Sequence, residues 1–243
     1  MSRIVNEQEY AVKRNEILDS ARRFIYTKGF EQMSIQDILN DLGISKGAFY
    51  HYFGSKHALL EALTDRTIDE GVALLLPIFE DPSLTAVEKI RHYFSSAAVW
   101  KTAQKDYLLG LMQVVYSDDN ALFRQKMFKA AMNHLRTWLQ PIIEQGIREG
   151  DLKPAYPALV SEIIFGLFQN LGDALAGKIL PSRSQPLDSQ DLVDTMAAFT
   201  DAMERILGAP CGSLKFMDDE TIRQWALPIQ YNSNGAQERN PTQ

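Results

Sequence analysis

The sequence has a single cysteine, Cys211, so no disulfide can form within one chain and a cysteine-rich zinc module is excluded. It also lacks long hydrophobic runs. The stretch from Val72 to Phe79 is interrupted by Pro77 and is far too short to span a membrane. The first ten residues contain no apolar run of the kind that a secretory signal needs. From these absences we expect a cytoplasmic protein without a membrane partner.

Sequence motifs of enzymes are also lacking. The sequence contains no His-Glu-x-x-His, no Gly-x-Ser-x-Gly and no phosphate-binding loop, and its four histidines are scattered without the spacing of metal ligands. Its carboxylates do not recur in the Glu-x-x-His pattern of di-iron helical bundles. We therefore expect no catalytic residue, no metal site and no cofactor, and the chain is predicted not to be an enzyme.

An excess of basic residues, the usual electrostatic sign of a nucleic-acid-binding protein, is also missing. The formal net charge is −6, and residues 1–70 contain 9 basic and 11 acidic side chains. The placement of these charges is more informative than their sum. Residues 42–60 contain no acidic side chain, whereas Lys46, His51, Lys56 and His57 all lie there. A locally positive face on an acidic protein is compatible with specific DNA binding.

Helical periodicity is present almost throughout, and strand-like alternation is hard to find. The pattern predicts an all-α fold of about nine helices, with a small N-terminal three-helix domain and a larger helical domain. A break between helices is expected at Pro77 and Asp81-Pro82, and Pro141 is expected to kink a long helix. Beyond the two short N-terminal helices and the long helix after residue 55, helices are expected at about residues 7–28, 84–104, 107–116, 119–149, 157–179 and 188–207.

Residues 34–56 read as a helix-turn-helix. Ser34 caps a short helix, with Asp37 in the capping-box position, and Ser45 caps a second one after the turn at Gly43. Apolar residues supply the buried side of the pair, and small or hydrogen-bonding residues occupy the other side of the second helix. Such a face fits against base edges in a major groove.

The run Ser-Lys-Gly-Ala-Phe-Tyr-His-Tyr-Phe-Gly-Ser-Lys at residues 45–56 resembles the recognition-helix signature of the TetR/AcrR family of regulators. The likeness extends from about Ile17 to Leu63. One departure is Leu39, where many helix-turn-helix proteins have alanine, and Ala48 across the turn can compensate for it. The residues expected to contact DNA are Ser34, Gln36, Ser45, Lys46, Gly47, Ala48, Tyr50, His51, Tyr52 and Lys56.

The last two long helices are candidates for dimerisation. The resemblance implies that they meet the same pair of a second chain in a four-helix bundle. An alternative is that their apolar stripes belong to the core of a single chain. The interface residues expected from the pattern are Ile164, Phe168, Leu171, Met196, Phe199 and Met203.

The middle helices are candidates for an effector site, because they are rich in aromatic residues and methionine. The resemblance implies that a pocket for an apolar or aromatic effector exists there, although such stripes are more often plain core. The expected ligand-binding residues are Tyr93, Trp100, Tyr107, Met112, Tyr116, Phe123, Met127, His134, Trp138 and Phe168.

These features together predict a ligand-responsive transcriptional regulator. The expected activity is that of a homodimeric repressor, which a small effector releases from a palindromic operator in double-stranded DNA. An activator of the same fold and a helical dimeric adaptor without DNA binding are the alternatives. The expected domains are a DNA-binding domain at residues 1–53, an effector and dimerisation domain at 54–208, and a partly disordered tail at 209–243. Within this tail only residues 216–227 have apolar residues enough to dock.

Overall fold

The computed structural model describes residues 2–180 and 187–227, with side chains from residue 7 onwards except at residues 130–135. Every regular element in these ranges is helical, so the all-α prediction is confirmed. A short 3-10 turn, Asp118–Asn120, precedes α7. The α-helices are α1 (Ser2–Lys28), α2 (Ile35–Leu42), α3 (Lys46–Tyr52), α4 (Lys56–Glu80), α5 (Ala86–Ala103), α6 (Lys105–Val115), α7 (Ala121–Glu149), α8 (Val160–Ile179), α9 (Ser189–Leu207) and α10 (Asp219–Trp225).

The described residues divide into two compact units. The first contains residues 2–67 and 106–117, which are the helices α1 to α3, the first half of α4, and nearly all of α6. Its core is built around Ile17, Ile25, Ile38 and Phe49, none of which exposes any surface. Burial of these side chains is the main force that holds the short helices α2 and α3, because helices of this length are marginal on their own.

The second unit contains residues 68–105 and 118–227 among those described. Its core joins α5, α7, α8 and α9, and Ile143, Ile164 and Leu207 are fully buried there. The N-terminus of α5 is fastened to the end of α7, because the backbone N–H of Ala86 donates to the Glu149 carboxylate at 2.8 Å. That bond lowers the pKa of Glu149.

Of the two breaks expected at prolines in this part of the chain, the structure has the one at Asp81-Pro82 and not the one at Pro77. Pro77 lies inside α4, which continues to Glu80 and ends just before Asp81-Pro82, so the expected break at Pro77 is wrong. A proline removes one bond to the carbonyl four residues earlier, here that of Ala73. Ala73 and Pro77 are both exposed, so water can satisfy this carbonyl.

The first part of the chain beyond α9 packs on the second unit, as the apolar residues of 216–227 led us to expect. Leu214 and Phe216 are buried in the core of the second unit, and α10 follows them. Cys211 lies in the loop between α9 and α10 and is exposed. The part of the expected tail at residues 228–243 lies outside the described residues.

Gly208 ends α9 and lies close to the backbone of Lys153. It has φ 61°, and a Cβ built on it would lie 2.2 Å from the carbonyl oxygen of Lys153. We expect Gly208→Ala to lower the free energy of unfolding by roughly 3 kcal/mol or more, because a left-handed alanine is strained and the clash is with backbone. Thermal or urea unfolding followed by circular dichroism measures the loss.

Gly150→Ala is the matched control. Gly150 also ends a helix in the left-handed region, with φ 85°, but an added Cβ would meet nothing within 4 Å. Its substitution is expected to cost only about 1 kcal/mol of conformational strain. Equal losses in the two variants would show that the contact with Lys153 does not matter.

Candidate nucleic-acid interface

The turn between α2 and α3 is fixed by caps on both sides. Gly43 adopts φ 60° after α2, and the N–H of Ile44 donates to the carbonyl of Leu39 at 3.1 Å. Ser45 then caps α3, because its Oγ accepts the backbone N–H of Ala48 at 3.1 Å. With both helix ends satisfied inside the turn, the angle at which α3 leaves α2 is defined by the local sequence.

The short helix α3 has one buried and one exposed face. Phe49 exposes none of its surface and packs with Phe53, whose ring centroid lies 5.9 Å away. The helix therefore presents a polar face of small and hydrogen-bonding side chains to the outside. Its exposed residues, including the N-cap, are Ser45, Lys46, Gly47, Tyr50 and His51, whereas Ala48 is half-buried.

Gly47 leaves the first turn of α3 open to a close approach. A Cβ built on it would come no nearer than 3.9 Å to any atom outside its immediate neighbourhood, and that atom is Ser45 Oγ. The packing of the protein therefore does not require glycine at this position. The missing side chain instead exposes the backbone at the N-terminal end of the helix, where phosphates and base edges bind favourably.

The start of α2 carries a network of polar contacts. The Asp37 carboxylate accepts the backbone N–H and the hydroxyl of Ser34, both at 2.7 Å, and pairs with Lys28 Nζ at 2.7 Å. The bond from Lys28, followed by those from Ser34, lowers the pKa of Asp37 to about 2. The network fastens the start of α2 to the last turn of α1. Gln36 is exposed beside it, and its amide donates to Asn40 Oδ1 at 2.8 Å.

Lys56 and Tyr52, which are also expected to contact DNA, pack against other residues of the first unit. Lys56 Nζ donates to the carbonyl of Glu31 at 3.2 Å and lies 4.5 Å from the centre of the Phe30 ring. Burial lowers the pKa of Lys56. The ring of Tyr52 packs on Tyr10 of α1, with 4.7 Å between centroids. The bond to Glu31 uses one of the three donors of the Lys56 ammonium, so the others can still reach a phosphate.

Sequence reasoning missed Tyr10, which also lies 5.6 Å from the His51 ring. The signal was present, because Tyr10, Arg14, Ile17 and Ala21 follow one another at helical spacings of 4, 3 and 4 residues. Arg14 lies 5.1 Å above the Phe53 ring. The N-terminal half of α1 therefore packs against the C-terminal end of α3.

The residues expected to bind an effector fall into two groups. In the second unit Tyr93 stacks on Phe79 at 4.7 Å, and Phe79 lies 5.7 Å from Trp138. Phe94 lies 5.1 Å from Tyr93 and 5.3 Å from Phe168, which extends the same cluster. We call these five rings the aromatic cluster. Burial raises the pKa of Tyr93.

Other members of the expected effector site lie elsewhere in the second unit. Trp100 is close to α4, since a Cβ on Gly71 would lie 3.3 Å from its indole. Phe123 and Met127 are half-buried on α7. The side chain of His134 lies outside the described residues.

Tyr107, Met112 and Tyr116 belong to the first unit. Tyr107 is buried, its hydroxyl lies 3.0 Å from Thr67 Oγ1, and its ring stacks on Tyr26 at 5.7 Å. The Arg22 guanidinium lies 4.6 Å from the centre of the same ring. Tyr107 therefore fastens α6 to α1 and α4 within the first unit.

Two of the six residues expected at a dimer interface lie in the core of a single chain, and the other four are half-buried. Ile164 and Met203 expose 0% and 1% of their surface and belong to the core of the second unit, so they have no surface to lose to a partner. Phe168 and Met196 pack against that core. Leu171 and Phe199 are half-buried. The exposed side of α8 instead carries Leu159, Glu162, Ile163, Gly166, Gln169, Asn170, Asp173 and Gly177.

Known proteins contain sequences and folds that are similar to this chain. Residues 17–63 match the family model described as bacterial regulatory proteins, tetR family. The matched residues run from the last half of α1 to the first turns of α4, and so include the whole helix-turn-helix. The relatives described below are named as DNA-binding regulators, not enzymes.

The relatives extend the likeness to most of the chain. The HTH-type transcriptional repressor DhaR of a Mycobacterium species is 25% identical over 72% of this chain and 86% of its own length. An uncharacterized HTH-type transcriptional regulator of Bacillus subtilis, YfiR, is 23% identical over 80% and 93%. The crystal structure of a TetR-family transcriptional regulator from Pectobacterium atrosepticum covers 84% of this chain and 98% of its own, with 20% identity and a TM-score of 0.62. The last likeness confirms the fold.

The Ser34–Asp37–Lys28 network predicts a pH-dependent contribution to stability. Because the folded pKa of Asp37 is depressed to about 2 from 3.8, the contribution is present above about pH 4 and is lost as the pH falls through about 2. We expect Asp37→Asn to lower the free energy of unfolding at pH 7 by about 1 kcal/mol, the usual value of a helix cap. The difference from the wild type should shrink between pH 4 and pH 2, as measured by unfolding at each pH.

Glu16→Gln provides the control for this prediction. Glu16 also pairs with a lysine, Lys13, at 2.7 Å, but the pair is exposed along one helix and caps nothing. An exposed pair of this kind contributes little. The interpretation fails if both variants lose the same stability at pH 7, or if the deficit of Asp37→Asn does not depend on pH.

Proposed function

We propose, from the premise that the chain is a transcriptional regulator with the DNA-binding domain of the tetR family, that it is a ligand-responsive repressor. In this proposal a homodimer binds a palindromic operator, and a small, largely apolar or aromatic effector releases it. The observation that carries the proposal is the exposed polar face of α3, held by the buried Phe49 and by caps at both sides of the turn.

The proposed DNA contacts follow from exposure on α2 and α3. Lys46, Tyr50 and His51 lie on the open face of α3 and can reach phosphates or base edges, while Gly47 allows close approach of the backbone. Lys46 Nζ lies 6.0 Å from the centre of the Tyr50 ring, so the two side chains cover one patch. Ser34 and Gln36 can add contacts from α2.

The proposed dimer uses the outward side of α8. A single helix-turn-helix offers few contacts, so reading a palindrome requires two heads at a fixed separation. Leu159 and Ile163 expose 52% and 45% of their surface on this side, and Gly166 follows one turn later with open space around it. In a two-fold interface each of these residues would occur twice, which concentrates apolar area near the axis.

The proposed effector site is the aromatic cluster of the second unit. Its rings suit a flat apolar ligand, and the Tyr93 hydroxyl supplies a polar group among them. Binding releases DNA only if the effector binds the DNA-free state better than the DNA-bound one. The helices α4 and α6 each contribute residues to both units, so they are the covalent routes along which such a preference can act.

The first test is DNA binding by the double variant Lys46→Ala, Tyr50→Ala. The probe is a duplex that carries the region upstream of the protein's own gene. We expect affinity to fall by about tenfold or more, because direct contacts of this kind contribute about 1–3 kcal/mol each. The slope of affinity against salt concentration should also decrease by about one for each lysine removed. Gel-shift titrations at several salt concentrations measure both quantities.

Arg148→Ala is the control, because it removes one exposed cation from the end of α7 and leaves the first unit intact. It should bind DNA like the wild type. Unchanged circular dichroism and unfolding temperature must accompany the loss in the double variant. Undiminished binding by a folded double variant would refute the role given to α3.

The second test is the oligomeric state of Ile163→Asp. A carboxylate in the apolar centre of an interface is left desolvated twice, so the dimer dissociation constant should rise by about 100-fold or more. Sedimentation at a series of concentrations measures this shift. Val99→Asp is the control, since Val99 is apolar and 70% exposed on α5, outside the proposed interface. A dimer of wild-type strength in Ile163→Asp would place the interface elsewhere.

A further inference from the structure

Residues 209–227, which follow α9, are attached to the second unit at two separate places, and we call them the C-terminal strap. The first attachment is the carboxylate of Glu204, which is only 5% exposed. It accepts the backbone N–H groups of Gly212 and Leu214, both at 2.8 Å. Charge-assisted bonds of this kind are stronger than neutral ones, so the beginning of the strap is held against α9.

The middle of the strap inserts a side chain beside the aromatic cluster. The Phe216 ring lies 4.1 Å from the Phe94 ring and is almost completely buried. Phe94 in turn contacts Tyr93 and Phe168. Phe216 therefore adds a further ring to the cluster proposed as the effector site.

The second attachment lies at the junction of α5 and α6. Lys105 Nζ donates to the carbonyls of Gln224 and Leu227, at 2.6 and 2.8 Å, and so binds one carbonyl in the last turn of α10 and one just beyond the helix. The indole N–H of Trp225 donates to Thr102 Oγ1 at 3.0 Å. Thr102 lies in the last turn of α5, and Lys105 is the first residue of α6.

These bonds stabilise the short helix α10. A helix of seven residues is too short to be stable alone, and its terminal carbonyls have no partner within the helix. Asp218 caps its N-terminus through the N–H of Thr221 at 2.8 Å, and the Lys105 ammonium satisfies its C-terminus with the favourable sign of charge. The strap and the α5–α6 junction therefore stabilise each other.

We propose that the C-terminal strap couples the aromatic cluster to the α5–α6 junction, with Phe216 at one end and Lys105 and Trp225 as positioning residues at the other. The junction matters because α6 continues from Lys105 into residues 106–115 of the first unit, where Tyr107 contacts Tyr26 and Thr67. The first unit also contains the helix-turn-helix, and we call it the DNA-reading unit. A change at the aromatic cluster that moves Phe216 then alters the start of α6. The consequence for DNA binding rests on the proposed function, whereas the coupling itself does not.

Hydrogen exchange on the full chain, without DNA or effector, tests the attachment at Lys105. In Lys105→Met we expect the amides of α10 and of residues 102–107 to exchange about tenfold faster, since two charge-assisted bonds are lost. Amides of α9 should be unchanged. Lys105→Arg should restore most of the protection. Lys215→Met is the matched control, because Lys215 lies in the strap but makes only an exposed pair with Asp219 at 3.1 Å.

Trp225→Phe is the second variant, which keeps an aromatic ring and removes only the bond to Thr102. It should show the same pattern with a smaller change. Wild-type exchange at residues 102–107 in both Lys105→Met and Trp225→Phe, while α10 exchanges faster, would overturn the positioning role. The same conclusion would follow if Lys215→Met loosened the junction as much as Lys105→Met.

The coupling through Phe216 is tested by Phe216→Leu against Phe168→Leu. Both rings contact Phe94, but only Phe216 belongs to the strap. We expect Phe216→Leu to accelerate exchange at residues 102–107 about threefold or more, although it does not touch them, because the loosened strap transmits the change. Phe168→Leu should leave those amides at the wild-type rate. Equal effects of the two variants would show that only the aromatic cluster matters and not the strap.

The consequence for function is read in a gel shift with the upstream duplex used above. Lys105→Met should change the affinity for this duplex about threefold or more, and Lys215→Met should not. If the wild type does not bind this DNA, the proposed function fails, while the exchange results still decide whether the strap acts. If exchange changes at the junction but affinity does not, the strap is coupled to the junction without influence on the DNA-reading unit, which overturns that part of the proposal.

Discussion

The burial of Phe49 is the constraint on which the DNA-reading face depends. This ring occupies the centre of the first unit, and α3 has too few residues to hold its own conformation. With Phe49 in place, the remaining residues of the helix have only one way to face, and the caps at Ser45 and Gly43 set the angle of its axis. The open positions are therefore a result of core packing and need no special feature of their own.

Local signals account for the parts of the fold that could be predicted. Caps, the left-handed Gly43 and Gly208, and the spacing of apolar residues are properties of neighbouring residues, so they define the helix-turn-helix and most helix boundaries from the sequence alone. The break predicted at Pro77 is wrong because a proline destabilises a helix less when the carbonyl that it leaves without a partner can reach water. The sequence does not show whether it can. The packing of Tyr10 against α3 was missed because this face of α1 is carried by a tyrosine and an arginine and not by aliphatic residues.

Non-local contacts explain the rest. The periodicity of α8 and α9 identifies a face to be buried but not what buries it, so Ile164 and Met203 looked like interface residues while they fill the core of one chain. Tyr107 is an aromatic residue of the kind that lines ligand pockets, but in this chain it contacts Tyr26 of α1 and Thr67 of α4 and so joins α6 to these two helices. The apolar residues of the strap indicate that it can dock but not where, since Lys105, which holds its end, lies 119 residues away from Gln224.

The position of Cys211 has a practical consequence. It is the only cysteine of the chain, it is exposed, and it lies in the strap next to Gly212, whose N–H is bound to Glu204. A thiol-reactive fluorophore would thus attach at one place in each chain without any preparatory substitution. The label would lie beside the anchored start of the strap. Its fluorescence polarisation and emission wavelength would therefore report whether that segment is docked, in the same sample in which DNA is bound or released.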